Sequence, residues 1–190
     1  MAKIGVLSLQ GDFAEHIQAL QSQCIAGVEV RLPKDLDTVD ALIIPGGEST
    51  TISLLMDLYQ IAQPLKERVY AGMPVWGTCA GMIILAKKLT DDRPQPLGLL
   101  DMVVSRNAFG GQLESFQEDI EVPVLGGNPF PAVFIRAPII LEAGTDVEIL
   151  ARLSDGTTVA ARQGNVLATA FHPELTSDPR FHAYFASWIQ

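Results

Sequence analysis

The stretch Pro74-Val75-Trp76-Gly77-Thr78-Cys79-Ala80-Gly81-Met82-Ile83-Ile84-Leu85-Ala86-Lys87 decides the fold. Pro74 to Gly77 reads as a short apolar strand, and Met82 to Lys87 reads as an apolar helix. Between them stands Gly77-Thr78-Cys79-Ala80-Gly81, of the form G-x-C-x-G. A nucleophile held on a sharp strand-to-helix turn leaves no room for side chains two positions before and after it, and glycine fills both places here. The turn also aims the thiol at the positive end of the following helix, which favours the thiolate. A free cysteine is equally a common core filler, so Cys79 alone leaves both readings open.

Working towards the N-terminus, the same alternation repeats. Ile4 to Leu9 is a mostly apolar run ended by Gln10-Gly11-Asp12, as expected of a strand buried on both faces. Phe13 to Gln23 follows helical spacing, with Phe13, Ile17 and Leu20 on one face. Strands follow at Glu29–Leu32 and Asp40–Ile44, the latter stopped by Pro45-Gly46-Gly47. A helix is expected over Ser49–Tyr59, with Glu48, Ser49 and Thr50 available at its start. Leu65 to Tyr70 continues in helical style. Strands alternating with helices predict right-handed crossovers and a mainly parallel sheet.

Beyond Leu85 the pattern changes. Val103 to Val124 and Ala132 to Ala170 are rich in short strand-like runs, and Asp155-Gly156 and Gln163-Gly164-Asn165 are hairpin signals. Asp178 to Gln190 reads as a closing helix with Phe181, Tyr184, Phe185 and Trp188 inward. With no internal repeat and no linker, residues 1–190 are expected to form one mixed α/β domain.

Composition narrows the function classes. The 190 residues carry 13 Lys+Arg against 22 Asp+Glu, a net charge of −9. That balance argues against nucleic acid or an anionic membrane as the main partner. Two cysteines, Cys24 and Cys79, make no disulfide framework; Cys24, ending the first helix, reads as structural. No apolar run approaches the ~18 residues that span a bilayer, and Met1 to Gln10 lacks the marks of a signal peptide. A soluble, cytoplasmic protein is expected. Charged residues make up only 18% of the chain, against about 25% in typical domains. A well-filled core or an apolar docking face would each account for this.

A cysteine nucleophile needs a base, and the base needs an orienter. Of three histidines, His16 and His182 fall in predicted helices without a fixed acidic partner and read as surface or helix-end residues. His172 opens His172-Pro173-Glu174 after a strand. In extended geometry, residues i and i+2 project to the same side, so the Glu174 carboxylate reaches back to the imidazole. Pro45-Gly46-Gly47-Glu48-Ser49-Thr50, a glycine pair before a helix start, offers free backbone N–H groups to an anion or oxyanion. It lacks the G-x-x-x-x-G-K-[ST] pattern of a phosphate-binding loop.

Pro45-Gly46-Gly47, the cysteine elbow and His172-Pro173-Glu174, in this order, resemble the triad-type (class I) glutamine amidotransferases. Gly5 to Asp12, Pro45 to Thr51, Arg106-Asn107-Ala108-Phe109-Gly110, Phe134-Ile135-Arg136-Ala137-Pro138 and Phe171 to Thr176 resemble, more narrowly, the glutaminase subunits of pyridoxal 5′-phosphate synthases. One departure is Gly111, where relatives carry a basic residue. The resemblance implies a flavodoxin-like three-layer αβα fold with a mainly parallel, mixed sheet and its site at the carboxyl ends of the strands. It implies hydrolysis of L-glutamine to L-glutamate and ammonia through a γ-glutamyl thioester, with Cys79, His172 and Glu174 as the triad. The Gly47 and Ala80 N–H groups would hold the oxyanion. Gly47, Glu48, Ser49, Arg106, Ile135 and Arg136 would line the glutamine site.

Nothing in the sequence suggests a metal, and no cofactor is expected. The resemblance implies a (β/α)8-barrel synthase partner, in a complex of twelve and twelve subunits, that receives ammonia for vitamin B6 synthesis and switches the glutaminase on. If strands 1 and 3 are neighbours, the Gln10-Gly11-Asp12 loop lies close to the glycine turn and is expected to sense that partner. Three alternatives stay open on the residues: a glutaminase serving another ammonia acceptor, a non-catalytic subunit keeping the fold, and a cysteine hydrolase acting on peptides or γ-glutamyl chains.

Overall fold

The structure, a computed structural model, describes residues 2–106 and 115–189. Segment 107–110 of the arginine motif, and Gly111, lie outside the described residues. The chain begins β1 (Lys3–Leu7), α1 (Phe13–Ser22), β2 (Ala26–Val30), β3 (Ala41–Ile44), α2 (Ser49–Leu58), α3 (Ala62–Tyr70), β4 (Val75–Thr78) and α4 (Ala80–Leu85). This is the order of strands and helices expected from the hydrophobic pattern. The remainder is β5 (Ala86–Leu89), β6 (Leu100–Ser105), β7 (Ser115–Ile120), β8 (Phe130–Ile135), β9 (Ile139–Ala143), β10 (Glu148–Arg152), β11 (Thr158–Gln163), β12 (Val166–Thr169) and α5 (Arg180–Ala186).

The main sheet runs β2-β1-β3-β4-β12-β11-β9-β6-β5, with β10 on β11; β7 and β8 form a separate ribbon. Strands β2, β1, β3, β4 and β12 are mutually parallel. Their side chains are apolar on both faces: Ile4, Val6, Ala41, Leu42, Ile43, Ile44, Val75, Trp76, Leu167 and Ala168 are buried, which is what helices covering a parallel sheet require. From β12 to β6 the pairing is antiparallel, with the two expected hairpins at Asp155-Gly156 and Gln163-Gly164-Asn165, and the edge strand β5 pairs parallel with β6.

Several boundaries differ from expectation. Strand β2 starts at Ala26, paired with Lys3, because Gly27 lets Leu20 of α1 pack against it (a Cβ there would meet Leu20 Cδ1 at 3.1 Å). The expected helix Met82–Lys87 ends at Leu85 and passes directly into β5, where Lys87 and Lys88 turn out to solvent. The closing helix stops at Ala186 and finishes as a 3-10 turn over Ser187–Ile189. Within it Phe181 and Phe185 are fully buried. Cys24 is exposed and sits at φ 59° beyond the end of α1. Its thiol is therefore not a core filler, and what the residue supplies there is the turn that ends α1, its N–H donating to Gln21 O at 3.0 Å.

Candidate active site

The five parallel strands deliver their carboxyl ends to one rim. Strand β3 stops before Pro45-Gly46-Gly47, β4 before Cys79, and β12 three residues before His172. Open parallel sheets build their sites at this edge. Cys79 adopts φ 47°, ψ −103°, a strained conformation for a residue with a Cβ. Packing enforces it: a Cβ on Gly77 would stand 2.4 Å from the backbone of Gly81, and one on Gly81 would stand 2.0 Å from Ile44 O. The elbow therefore needs both glycines, as the motif predicts. The Cys79 N–H donates to Thr169 O at 2.8 Å, pinning the turn to β12.

A cavity of about 420 Å³ opens over the thiol. It is lined by Gly47, Glu48, Ser49, Cys79, Ala80, Arg106, Ile135, Arg136 and His172, together with Gln10, Gly11 and Asp12. Nine of the ten predicted site residues thus meet in one place, although they come from turns far apart in sequence. The tenth, Glu174, lies behind His172 with its side chain fully buried. His172 Nδ1 is 2.7 Å from Glu174 Oε1 and 3.4 Å from Asp12 Oδ2. The His172 N–H donates to Val133 O, fixing the backbone to β8.

Burial of His172 disfavours its charged form, yet hydrogen bonds with Asp12, Cys79 and Glu174 and the charge of a Cys79 thiolate outweigh this and raise it to about 12. Burial pushes the Glu174 carboxyl up, against the downward pull of His172. A charged imidazole beside a thiol, with a carboxyl group behind it, is the arrangement that a cysteine nucleophile and its base require.

On the opposite wall, Glu48 caps α2. Its carboxylate accepts from Thr50 N (3.0 Å), Thr51 N (2.6 Å) and Thr51 Oγ1 (2.7 Å). Burial raises its carboxyl, and these bonds overcome that and bring it down to about 2. The Glu48 N–H donates to Gln10 Oε1 at 2.8 Å, whereas the Gly47 N–H has no acceptor among the described residues. Ala80 is the first residue of α4, so its N–H has no partner within the helix. Gly47 itself sits at φ 152°, and a Cβ there would lie 2.6 Å from Gln10 Oε1.

Arg106 is held by Arg93 O, by Thr50 Oγ1 at 3.4 Å and by Glu48 Oε1 at 3.5 Å. Arg136, at φ 44°, is exposed at the mouth and pairs with no carboxylate among the described residues. Ile135 offers its carbonyl, 3.8 Å from the Cys79 sulfur.

The residues missed by sequence reasoning are Asp12 and His16. Asp12 was expected only as part of a sensing loop, but the parallel pairing of β1 with β3 brings its carboxylate to His172. His16 and His182, expected at the surface, are both fully buried. The helical period does put His16 on the inward face with Leu20; its polarity disguised that. Asp12, His172 and Glu174 offer ligand atoms within 4.8 Å of one another. The 2.7 Å contact between His172 Nδ1 and Glu174 Oε1 is that of a hydrogen bond.

A cysteine elbow and a His-Glu pair at the strand ends of a flavodoxin-like α/β sheet define a class I glutamine amidotransferase fold. Solved structures agree. One described as a glutamine amidotransferase superimposes with TM-score 0.92 at 52% identity over 98% of each chain. PurLQS from Thermotoga maritima shares the fold alone, at TM-score 0.72 and 16% identity over the whole of both chains. The chain belongs to the SNO glutamine amidotransferase family, whose model matches residues 6–190. Membership makes it an enzyme of the glutamine amidotransferase class. Among its relatives, pyridoxal 5′-phosphate synthase subunit PdxT of Herpetosiphon aurantiacus is 57% identical over 96% of this chain and 97% of its own. The protein of the same name from Roseiflexus castenholzii is 56% identical over the same shares.

Proposed function

We propose that residues 1–190 form one glutaminase domain that hydrolyses L-glutamine to L-glutamate and ammonia, and passes the ammonia to a synthase partner making pyridoxal 5′-phosphate (vitamin B6). The observation that carries this reading is the convergence of Cys79, His172 and both arginines on one cavity, with Glu174 buried behind the imidazole.

Glutamine presents a carboxamide carbon to the thiolate and an α-carboxylate to Arg136 and Arg106. Attack by Cys79 Sγ forms a tetrahedral oxyanion held by the Gly47 and Ala80 N–H groups. His172 gives its proton to the departing ammonia, leaving the γ-glutamyl thioester. It then takes a proton from water, whose oxygen attacks the thioester and releases glutamate and the thiolate. Glu174 keeps the imidazole oriented and stabilises its charged form. Glu48, which spends its carboxylate on the cap of α2, is better suited to shaping the wall than to receiving the α-ammonium. Ser49 and the Ile135 carbonyl complete the lining.

The relatives' printed name supports the partner. A (β/α)8-barrel synthase, a twelve-plus-twelve complex and a cytoplasmic location are parts of the same proposal. No helix among the described residues is long and apolar enough to cross a membrane. A docked partner would cover exposed Leu54 and Leu58 of α2, whose first turn forms the pocket wall, and Leu175 on the pocket rim. It would reach the Gln10-Gly11-Asp12 loop, which touches both the glycine turn and His172. Glutamate release is to be measured with and without a pyridoxal 5′-phosphate synthase subunit, beside Cys79→Ala. Activity that rises with the synthase and vanishes in the variant is expected. Cys79-dependent activity indifferent to the synthase would redirect the ammonia to another acceptor.

A further inference from the structure

The chain of polar contacts does not stop at Glu174. Its Oε1 is taken by His172, but its Oε2 is a buried oxygen with no hydrogen-bond partner among the described residues. The ring of His16, from α1, faces it with Nε2 at 3.3 Å. The same Nε2 lies 3.1 Å from Thr78 Oγ1, on the residue before the nucleophile. On its other side, His16 Nδ1 is 3.0 Å from Nε2 of His182, from α5. Both rings pack edge-on to Trp76 of β4, at 5.8 and 5.1 Å between centroids. The proposed mechanism uses none of these groups.

One proton must lie between His16 Nδ1 and His182 Nε2, since two bare nitrogens at 3.0 Å repel. Were it on His16 Nδ1, neutral His16 would place a bare, electron-rich Nε2 3.3 Å from a carboxylate oxygen. Burial makes that acceptor–acceptor contact costly. With the proton on His182 Nε2, His16 carries Nε2–H, which meets Thr78 Oγ1 at 3.1 Å and sets the positive edge of the ring 3.3 Å from Glu174 Oε2. We propose that His16, as this Nε2–H tautomer set by His182, is a positioning residue for the glutaminase reaction, holding the second oxygen of Glu174 so that the first meets His172.

Burial, then the neighbouring charges of His182 and His172, drives His16 well below its ordinary value, and burial brings His182 down to about 4. A neutral ring suits the role. It offers Glu174 a dipole, whereas a second cation would compete with His172 for the same carboxylate.

This inference rests on the glutaminase reading, and the test separates the two. Glutamate release is measured in the presence of the synthase subunit for wild type, His16→Leu and His16→Gln, with folding checked by circular dichroism. Leucine removes the N–H; glutamine can return one at the reach of Nε2. We expect His16→Leu to lower kcat by roughly ten- to a hundredfold, as orienting groups behind a site commonly do, with KM little changed, and His16→Gln to recover most of it. The 15N spectrum of histidine-labelled wild type should show His16 protonated at Nε2. A folded His16→Leu enzyme with kcat within about twofold of wild type, equal impairment in both variants, or an Nδ1–H tautomer would each overturn the proposal. Should His16→Leu fail to fold, the glutamine variant and the spectrum still decide. A wild type that releases no glutamate would instead remove the glutaminase reading, and the spectrum would stand apart from it.

Discussion

His172 Nδ1 donates to Glu174 Oε1 across 2.7 Å, and the two residues are separated in the chain only by Pro173. The carboxylate is wholly buried, so this bond operates in a low dielectric and is strong enough to set the imidazole's tautomer and plane.

Replacing Glu174 by glutamine keeps the shape and removes the charge. The side-chain amide can then present N–H to Nδ1, which favours the tautomer that is useless for catalysis. With the synthase present, kcat of Glu174→Gln is expected to fall by roughly 10²–10⁴-fold, while KM for glutamine changes little. Cys79→Ala is expected to leave no turnover. A Glu174→Gln enzyme as fast as wild type would strike Glu174 from the triad.

Gly81 and Gly46 predict different failures. A Cβ on Gly81 would press on Ile44 O, which is backbone of the central sheet and cannot give way. Gly81→Ala should therefore cost on the order of 3 kcal/mol in urea unfolding. A Cβ on Gly46 would stand 2.3 Å from His172 Cε1, a side-chain atom whose ring can be displaced only by weakening its bond to Glu174. Gly46→Ala should lose less stability than Gly81→Ala and lose most of its turnover, because the ring that moves is the proposed base. Equal effects of the two changes on stability would contradict this division.

The elbow was legible because its chemistry and its sterics share one short segment; the His172–Glu174 contact was expected from extended chain, whereas Pro173–Leu175 form a 3-10 turn, and this turn brings the carboxylate back to the imidazole. The alternating half of the fold was legible for the same local reason. What sequence could not show was long-range pairing. Asp12 reaches His172 only because β1 lies beside β3, and His16 meets His182 only because α5 returns over β4, 166 residues away along the chain. Polar residues in amphipathic helices read as exposed by default, and both histidines break that default by pairing with each other. The position of β5 escaped for a different reason. An apolar helix running into Ala86-Lys87-Lys88-Leu89 carries no glycine or proline to mark its end.

The two arginines should separate by role. Arg136 pairs with no carboxylate among the described residues and stands at the mouth, free to meet the α-carboxylate; Arg106 is already tied to Thr50, Glu48 and Arg93 O. A charge-assisted bond is worth about 1.5–3 kcal/mol. Arg136→Met should therefore raise KM for glutamine by roughly 10–100-fold, with kcat less affected. Arg106→Met should raise KM and also loosen the start of α2, lowering the melting temperature. Steady-state kinetics and thermal melts of both variants check this, and an unchanged KM in Arg136→Met would exclude it from substrate binding.

Acid should expose the buried histidines. His182 is held at about 4 by burial, below the ~6.5 of an unfolded chain. Between these values the unfolded state binds a proton that the folded state refuses, so stability falls as pH falls, by about 1.4 kcal/mol per pH unit for each such group. The loss begins near pH 6.5 and is complete once pH drops below about 4, where the folded ring also takes its proton. His182→Phe removes this group, and the titrations of the other groups are largely shared with wild type and cancel in the difference. The variant loses the bond to His16 and should be the less stable protein at pH 7. Its deficit should then shrink by about 2 kcal/mol between pH 6.5 and pH 5, because wild type alone carries the His182 proton penalty. Urea unfolding at the two pH values measures this. A deficit that stays constant would mean that His182 takes up its proton in the folded protein as readily as in the unfolded chain.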